Sequence, residues 1–176
     1  YMEYPLTQAV GLLGGSFDPV HNGHMAIARS FLNTDLLSEL WILLTPDPPH
    51  KTEQSQAPYE LRLAMLEQVF KGWKNLLVSD LENSLPNPSY TLQTIEYLSD
   101  RHPEKQCYIC MGEDSARNFT EWYKWQNILN YCDLLIARRP SSSLANLHPK
   151  VARQAHYVDH NPVSISSTNV REAVSE

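Results

Sequence analysis

The chain has no apolar run approaching the roughly 18 residues that a membrane-spanning helix needs. Its opening stretch, YMEYPLTQ, lacks the basic-then-apolar order of an export signal. It also lacks a basic surplus: Lys and Arg number 14 against 20 Asp and Glu, for a net charge of −6 at pH 7. That balance argues against nucleic acid as a partner. Cysteine is scarce, with only Cys107, Cys110 and Cys132. The spacing Cys107-x-x-Cys110 has no second pair to complete a zinc set, and the pattern QCYICMG places both thiols in a strand. Buried, reduced cysteines are therefore expected, as suits a cytoplasmic protein. No Ser-His-Asp or Cys-His arrangement announces a protein nucleophile. What is present is core-forming material: 42% hydrophobic residues and four Trp in 176 residues. A chain of this length buries roughly 70% of its unfolded surface as one domain. No repeat or linker divides it, so 1–176 is expected to form a single domain.

Short apolar runs alternate with helical patterns throughout. Strands are expected at 9–13, 40–44, 76–79, 107–111, 134–137 and 157–158, rich in Leu, Ile and Val without strict alternation. That is the pattern of strands buried on both faces. Helices are expected at 23–33, 58–70, 91–101, 122–130, 144–155 and 168–174. The second has Pro58 near its first turn and Leu61, Met65, Leu66 and Val69 on one apolar side. This rhythm implies an α/β protein with a doubly wound parallel sheet and ligands at the carboxyl ends of its strands. Three connections are long and polar: TPDPPHKTEQSQA (45–57), LENSLPNPSY (81–90) and RRPSSS (138–143). Such loops are more often functional than accidental.

Residues 10–24, VGLLGGSFDPVHNGH, run from a strand through Gly14-Gly15 into a helical pattern. At such a turn the backbone approaches a ligand closely, and the helix start offers unpaired N–H groups to phosphate. His21 and His24 lie three residues apart, on one helix face. As metal ligands they lack the rest of a set, with no Glu between them and no Cys or His cluster downstream. As core residues they are oddly placed beside Asn22 and Gly23. The favoured role is donation of imidazole N–H groups to the phosphates of a nucleotide lying over Gly14–Phe17. Near the other end, VSISSTNVRE (163–172) offers Ser166, Ser167 and Thr168 ahead of a short helix, with Arg171 one turn in. These hydroxyls are either a plain helix cap or a second anion cradle. Two anion sites at opposite ends of the chain suit a polyphosphate.

GGSFDPVHNGH resembles the (T/S)FDP-x-H-x-GH signature of the nucleotidyltransferase superfamily, and ISSTNVR resembles its ISST-x-(I/V)R partner. PDPPHK (46–51), PSYTLQTIEYL (88–98), MGEDSARNFTEW (111–122) and LIARRP (135–140) resemble one branch, the bacterial nicotinate mononucleotide (NaMN) adenylyltransferases, in the family order along nearly the whole chain. Phosphopantetheine adenylyltransferases and cytidylyltransferases share the histidine signature but lack these segments. Two departures stand out: Ser141 where the family often has Gly after Arg-Pro, and Glu113 in the middle of the GxD segment.

The resemblance implies a Rossmann-like nucleotidyltransferase fold and a reaction joining ATP to NaMN, giving deamido-NAD and pyrophosphate in NAD biosynthesis. The ionised 5′-phosphate would attack the α-phosphorus in line, with no covalent enzyme intermediate. By the same resemblance His21 and His24 face the ATP phosphates, Gly14, Gly15 and Ser16 keep the backbone open, and Phe17 shapes the pocket. Asp18 would fix the turn and Lys51 would bring a cation to the phosphates. Ser166, Ser167 and Arg171 would take the β- and γ-phosphates, while Gly112 and Asp114 would meet the ribose or adenine. Tyr90, Thr91, Trp122 and Tyr123 would hold the pyridine ring, with backbone amides near Thr91 or Tyr123 for its carboxylate. Arg138 would offer a guanidinium to a phosphate, and Trp125 and Tyr131 read as packing residues. Mg²⁺ is expected with ATP rather than in a protein metal site. The expected partners are ATP and NaMN, with no nucleic acid or membrane and with homo-oligomerisation open. The readings that compete are an adenylyltransferase for another phosphomonoester, such as nicotinamide mononucleotide or phosphopantetheine, and a nucleotide sensor without turnover.

Overall fold

Each of the six apolar runs forms a strand in the computed structural model, which describes residues 9–46, 57–85, 90–139 and 146–160. The strands are β1 (Ala9–Gly15), β2 (Glu39–Leu44), β3 (Leu76–Ser79), β4 (Gln106–Gly112), β5 (Cys132–Arg138) and β6 (Ala155–Asp159). They form one parallel sheet in the order β3-β2-β1-β4-β5-β6. The strand order reverses between β1 and β4, and a doubly wound sheet opens its ligand crevice at that point, at the carboxyl ends.

The helices are α1 (Asn22–Leu32), α2 (Tyr59–Val69), α3 (Thr91–Arg101), α4 (Glu113–Arg117), α5 (Trp125–Ile128) and α6 (Pro149–Gln154). On one face of the sheet, Leu13, Leu40, Ile42, Leu44 and Leu135 pack with Ala28 and Phe31 of α1 and Leu66 of α2. On the other, Val10, Leu12, Ile109, Leu134 and Ile136 pack with Leu92, Ile95 and Leu98 of α3 and Ile128 of α5. Both faces are dry, which is why the strands read as continuous apolar runs. Within β1, Gly11 is required by packing, since a Cβ there would lie 2.6 Å from Leu37 Cδ1 and 2.8 Å from Cys110 Sγ.

The helical segments and their neighbours depart from expectation in several places. In α2 the buried stripe is Arg62 and Leu66, while Leu61 and Met65 are exposed. Arg62 and Leu66 are one turn apart and share a face, and the carbonyls that Arg62 binds draw that face inward. The run 122–130 is interrupted: a 3-10 turn at Phe119–Glu121 is followed by Lys124 in the left-handed region (φ 49°), and only then by α5. Tyr131, just before β5, is exposed rather than packed. Of the run 144–155 the described part begins at 146; within it the helix spans Pro149–Gln154, and Ala155 already belongs to β6. The short α4 was not foreseen from the sequence pattern, and the expected helix at 168–174 lies outside the described residues. Cys110 and Cys132 are buried and Cys107 is half-buried, all three as free thiols. Burial pushes the Cys110 thiol well up. No helix among the described residues is long and apolar enough to cross a membrane.

Candidate active site

β1 ends at Gly15, beside the sheet's reversal point, and the chain turns through Ser16–Val20 into α1. Phe17, not a glycine, takes the left-handed conformation in this turn, with φ 44° and a buried ring. That conformation is strained for a bulky side chain and persists only where its surroundings enforce it. The ring meets His24 edge-on at 4.8 Å.

The two imidazoles cap α1 reciprocally. His21 Nδ1 accepts from the Gly23 N–H at 3.0 Å, and His24 Nδ1 accepts from the His21 N–H at 3.0 Å. A nitrogen that accepts a main-chain N–H carries no proton, so each neutral ring is protonated on Nε2. The rings stack at 3.8 Å with 25° between their planes. Burial, with the charge of His21 adding to it, pulls the His24 pKa from 6.5 to about 4. Burial also lowers His21. Near pH 7 the turn therefore presents two neutral Nε2–H donors.

Arg62 braces this turn from below and was missed in the sequence. It is 3% exposed, and its guanidinium donates to four main-chain carbonyls. These are Ser16 at 2.9 Å, Thr45 at 3.0 Å, Pro46 at 3.3 Å and Ala57 at 3.0 Å. The only sequence signal was its position four residues before Leu66. Asp18 is buried, accepts weakly from the Ala57 N–H at 3.4 Å, and favours the Arg62 charge. It links the turn to the residue before Pro58 and α2.

Across the reversal, β4 ends at Gly112. A Cβ there would meet nothing within 4 Å, and one at Gly14 would meet only Leu43 O at 3.8 Å. Among the described residues, then, neither glycine is demanded by packing, in contrast to Gly11. Asp114 is largely exposed and pairs with Arg117 at 3.3 Å and Arg139 at 3.8 Å. Glu113, the departure within GxD, is buried, with Oε1 accepting from the Arg139 N–H and Oε2 pairing with Arg117 at 3.2 Å. It ties the end of β4 to the end of β5. Arg138 lies on the surface, 3.4 Å from Asp159 and with its guanidinium over the Tyr157 ring.

The segments expected to hold the pyridine ring converge. Tyr90 precedes α3, Thr91 begins it, and the Tyr90 ring stacks on Tyr123 at 4.5 Å and 25°. Trp122 is half-buried against Phe119, 5.0 Å away, and Trp125 packs on the same core. Lys124 Nζ sits 5.4 Å over the Tyr123 ring. Lys51, Ser166, Ser167 and Arg171 lie outside the described residues. Among the described residues no group of three or more His, Cys, Asp or Glu is placed to hold a metal ion.

The sequence pattern of the cytidylyltransferase-like family matches residues 12–173. The Bacteroides fragilis protein named "Probable nicotinate-nucleotide adenylyltransferase" is 35% identical over 167 residues, covering 94% of this chain and 81% of its own. A Cytophaga hutchinsonii protein of the same name is 34% identical over 167 residues, covering 95% and 86%. Among solved structures, Plasmodium falciparum nicotinic acid mononucleotide adenylyltransferase complexed with NaAD superposes with a TM-score of 0.75 over 94% of this chain and 83% of that one. At 16% identity, that likeness speaks to the fold alone.

Proposed function

The chain belongs to the cytidylyltransferase-like family and, within it, to the nicotinate-nucleotide adenylyltransferases, and on that premise we propose how its residues carry adenylyl transfer. The enzyme transfers the adenylyl group of ATP to nicotinate mononucleotide, giving deamido-NAD and pyrophosphate in NAD biosynthesis. The acceptor phosphate is already ionised, so it needs no general base, and it attacks the α-phosphorus in line without a covalent enzyme intermediate. Catalysis is then positioning plus stabilisation of charge on the α-phosphate and the leaving pyrophosphate.

The observation that carries this reading is the neutral, Nε2-protonated pair His21 and His24 at the start of α1. A ring that must hold its proton to donate a hydrogen bond is a poor base and a good oxyanion donor. His24 serves the transferring α-phosphate, and His21 the neighbouring phosphates. Gly14, Gly15 and Ser16 leave the backbone open to ATP, and Phe17 holds the His24 ring. Lys51, Ser166, Ser167 and Arg171 take the outer phosphates. Gly112 and Asp114 receive the adenosine, for which the open space at Gly112 leaves room. Tyr90, Thr91, Trp122 and Tyr123 form the pyridine side, and Lys124 above Tyr123 adds a cation suited to a nicotinate carboxylate. Mg²⁺ would arrive bound to ATP and would neutralise part of the phosphate charge. Free thiols at Cys107, Cys110 and Cys132 suit a cytoplasmic setting.

The test is pyrophosphate release from Mg-ATP with NaMN, nicotinamide mononucleotide and phosphopantetheine offered separately. NaMN should be the preferred acceptor. Release with phosphopantetheine alone, or with none of the three, would overturn the proposal. His24→Ala should lower kcat by about 10²–10³ while changing KM for ATP far less, as for a donor used in the transition state. A change confined to KM would make His24 a simple binding contact.

A further inference from the structure

In-line transfer between two bound nucleotides requires that their half-sites stand at a fixed separation, since a misplacement of about 1 Å can cost 10²-fold in rate. The two halves here arise from different segments. The phosphate turn follows β1, and Tyr90 and Thr91 start α3. Among the described residues a run of hydrogen bonds through buried Arg62, Glu82 and Thr94 and half-buried Thr45 joins them.

It starts at the phosphate turn, where the Thr45 N–H donates to Gly15 O at 2.9 Å and Arg62 holds Ser16 O and Thr45 O together. Thr45 Oγ1 then donates to Glu82 Oε1 at 3.2 Å, and Thr94 Oγ1 donates to Glu82 Oε2 at 2.6 Å. Glu82 sits in a 3-10 turn, Leu81–Ser84, beyond β3. Thr94 lies in the first turn of α3, close behind Tyr90 and Thr91. Arg62, Glu82 and Thr94 are 3%, 7% and 1% exposed. Taking a cation and a carboxyl out of water is expensive, and apolar residues of similar volume usually hold elements together as well or better. Leu66 and Leu92 already anchor α2 and α3 to the sheet. What polar groups add is direction: one planar carboxyl receives one hydroxyl on each oxygen, so the end of β2 and the start of α3 share a single rigid reference.

We propose that Arg62, Thr45, Glu82 and Thr94 form a positioning spine that sets the ATP turn against the acceptor-binding end of α3, so that the two bound substrates meet in line. This rests on the adenylyl-transfer reading above. None of the four acts as a catalytic residue, and no proton moves along the spine.

The spine is cut at opposite ends by Thr45→Val and Thr94→Val, which are close to isosteric. Thr45→Val leaves intact the main-chain bonds of residue 45 to Gly15 and Arg62. The readouts are melting temperature, kcat, and separate equilibrium titrations of a non-hydrolysable ATP analogue and of NaMN. The expected result, in whichever variant melts cooperatively, is a kcat lowered about tenfold or more. Each ligand's Kd should stay within about threefold of wild type, because each half-site survives while their mutual placement is lost. Thr45→Ser restores the hydroxyl and should restore kcat. A folded valine variant with wild-type kcat would overturn the spine, as would a fall in kcat matched by an equal loss of affinity for one ligand. Wild-type protein that fails to adenylylate NaMN would overturn the function itself, and the spine with it. Wild-type turnover combined with unaltered variants would overturn the spine alone.

Discussion

Phe17 and His24 show how much of the site is settled by single side chains. The left-handed backbone at Phe17 is unfavourable in isolation and is held by burial of its ring. Truncation by Phe17→Ala should destabilise the protein by about 3 kcal/mol in urea denaturation, as for other buried aromatics. It should also lower kcat, since His24 loses the ring that seats it. Full turnover in a folded Phe17→Ala protein would show that contact to be idle. The histidine pair makes a second prediction. With its folded pKa drawn down to about 4, His24 favours the folded state above its ordinary value of 6.5. That contribution is lost as pH falls from 6.5 toward 4, where the unfolded chain takes up a proton that the folded chain resists. NMR titration of the ligand-free protein should find His24 neutral, with its proton on Nε2, at pH 5.5. A midpoint near 6.5 would contradict the buried, stacked geometry.

At the scale of elements, the glycines separate packing from ligand space. Gly11→Ala should lower the melting temperature, because the added methyl collides with Leu37 and Cys110. Gly112→Ala should leave it nearly unchanged and weaken ATP binding, measured by titration with a non-hydrolysable analogue. Equal melting losses in both would mean that Gly112 serves packing after all. The strands and the helix α3 were readable from the chain because short apolar runs and an amphipathic pattern are local properties. The buried side of α2 was not. Counting apolar residues favours Leu61 and Met65, but the four carbonyls around Arg62 outweigh them, and those come from the residues just after β1, just after β2 and just before α2. The helix expected across 122–130 is cut back to Trp125–Ile128 for a local reason of low visibility, the left-handed turn at Lys124, a residue type that gives little sign of it. α4 is five residues long, and its Glu113 looks like a surface charge until β5 delivers the Arg139 N–H beside it.

For the molecule as a whole, the two cores lie on opposite faces of one sheet and share its strands. Trp73 reports on the face with α1 and α2, while Trp41, Trp122 and Trp125 report on the other. Tryptophan fluorescence and far-ultraviolet circular dichroism should therefore trace one coincident unfolding transition in urea. Two separated transitions would divide the chain into independent units. The primary sequence by itself determined the order of the strands, the helices α1, α2 and α3 between them, the parallel sheet, and the phosphate-type turn bearing His21 and His24, because each is written in residues close together along the chain. Only the tertiary structure decided the protonation of that pair, since Nδ1 is committed by the cap geometry and the pKa by burial. It alone also brought Tyr90 onto Tyr123, and joined Arg62 and Thr45 to Glu82 and Thr94, because contacts between residues 12 to 37 positions apart leave no periodic trace in the chain. The turn through Phe17 was visible as a motif, but the brace that holds it to the rest of the site was not.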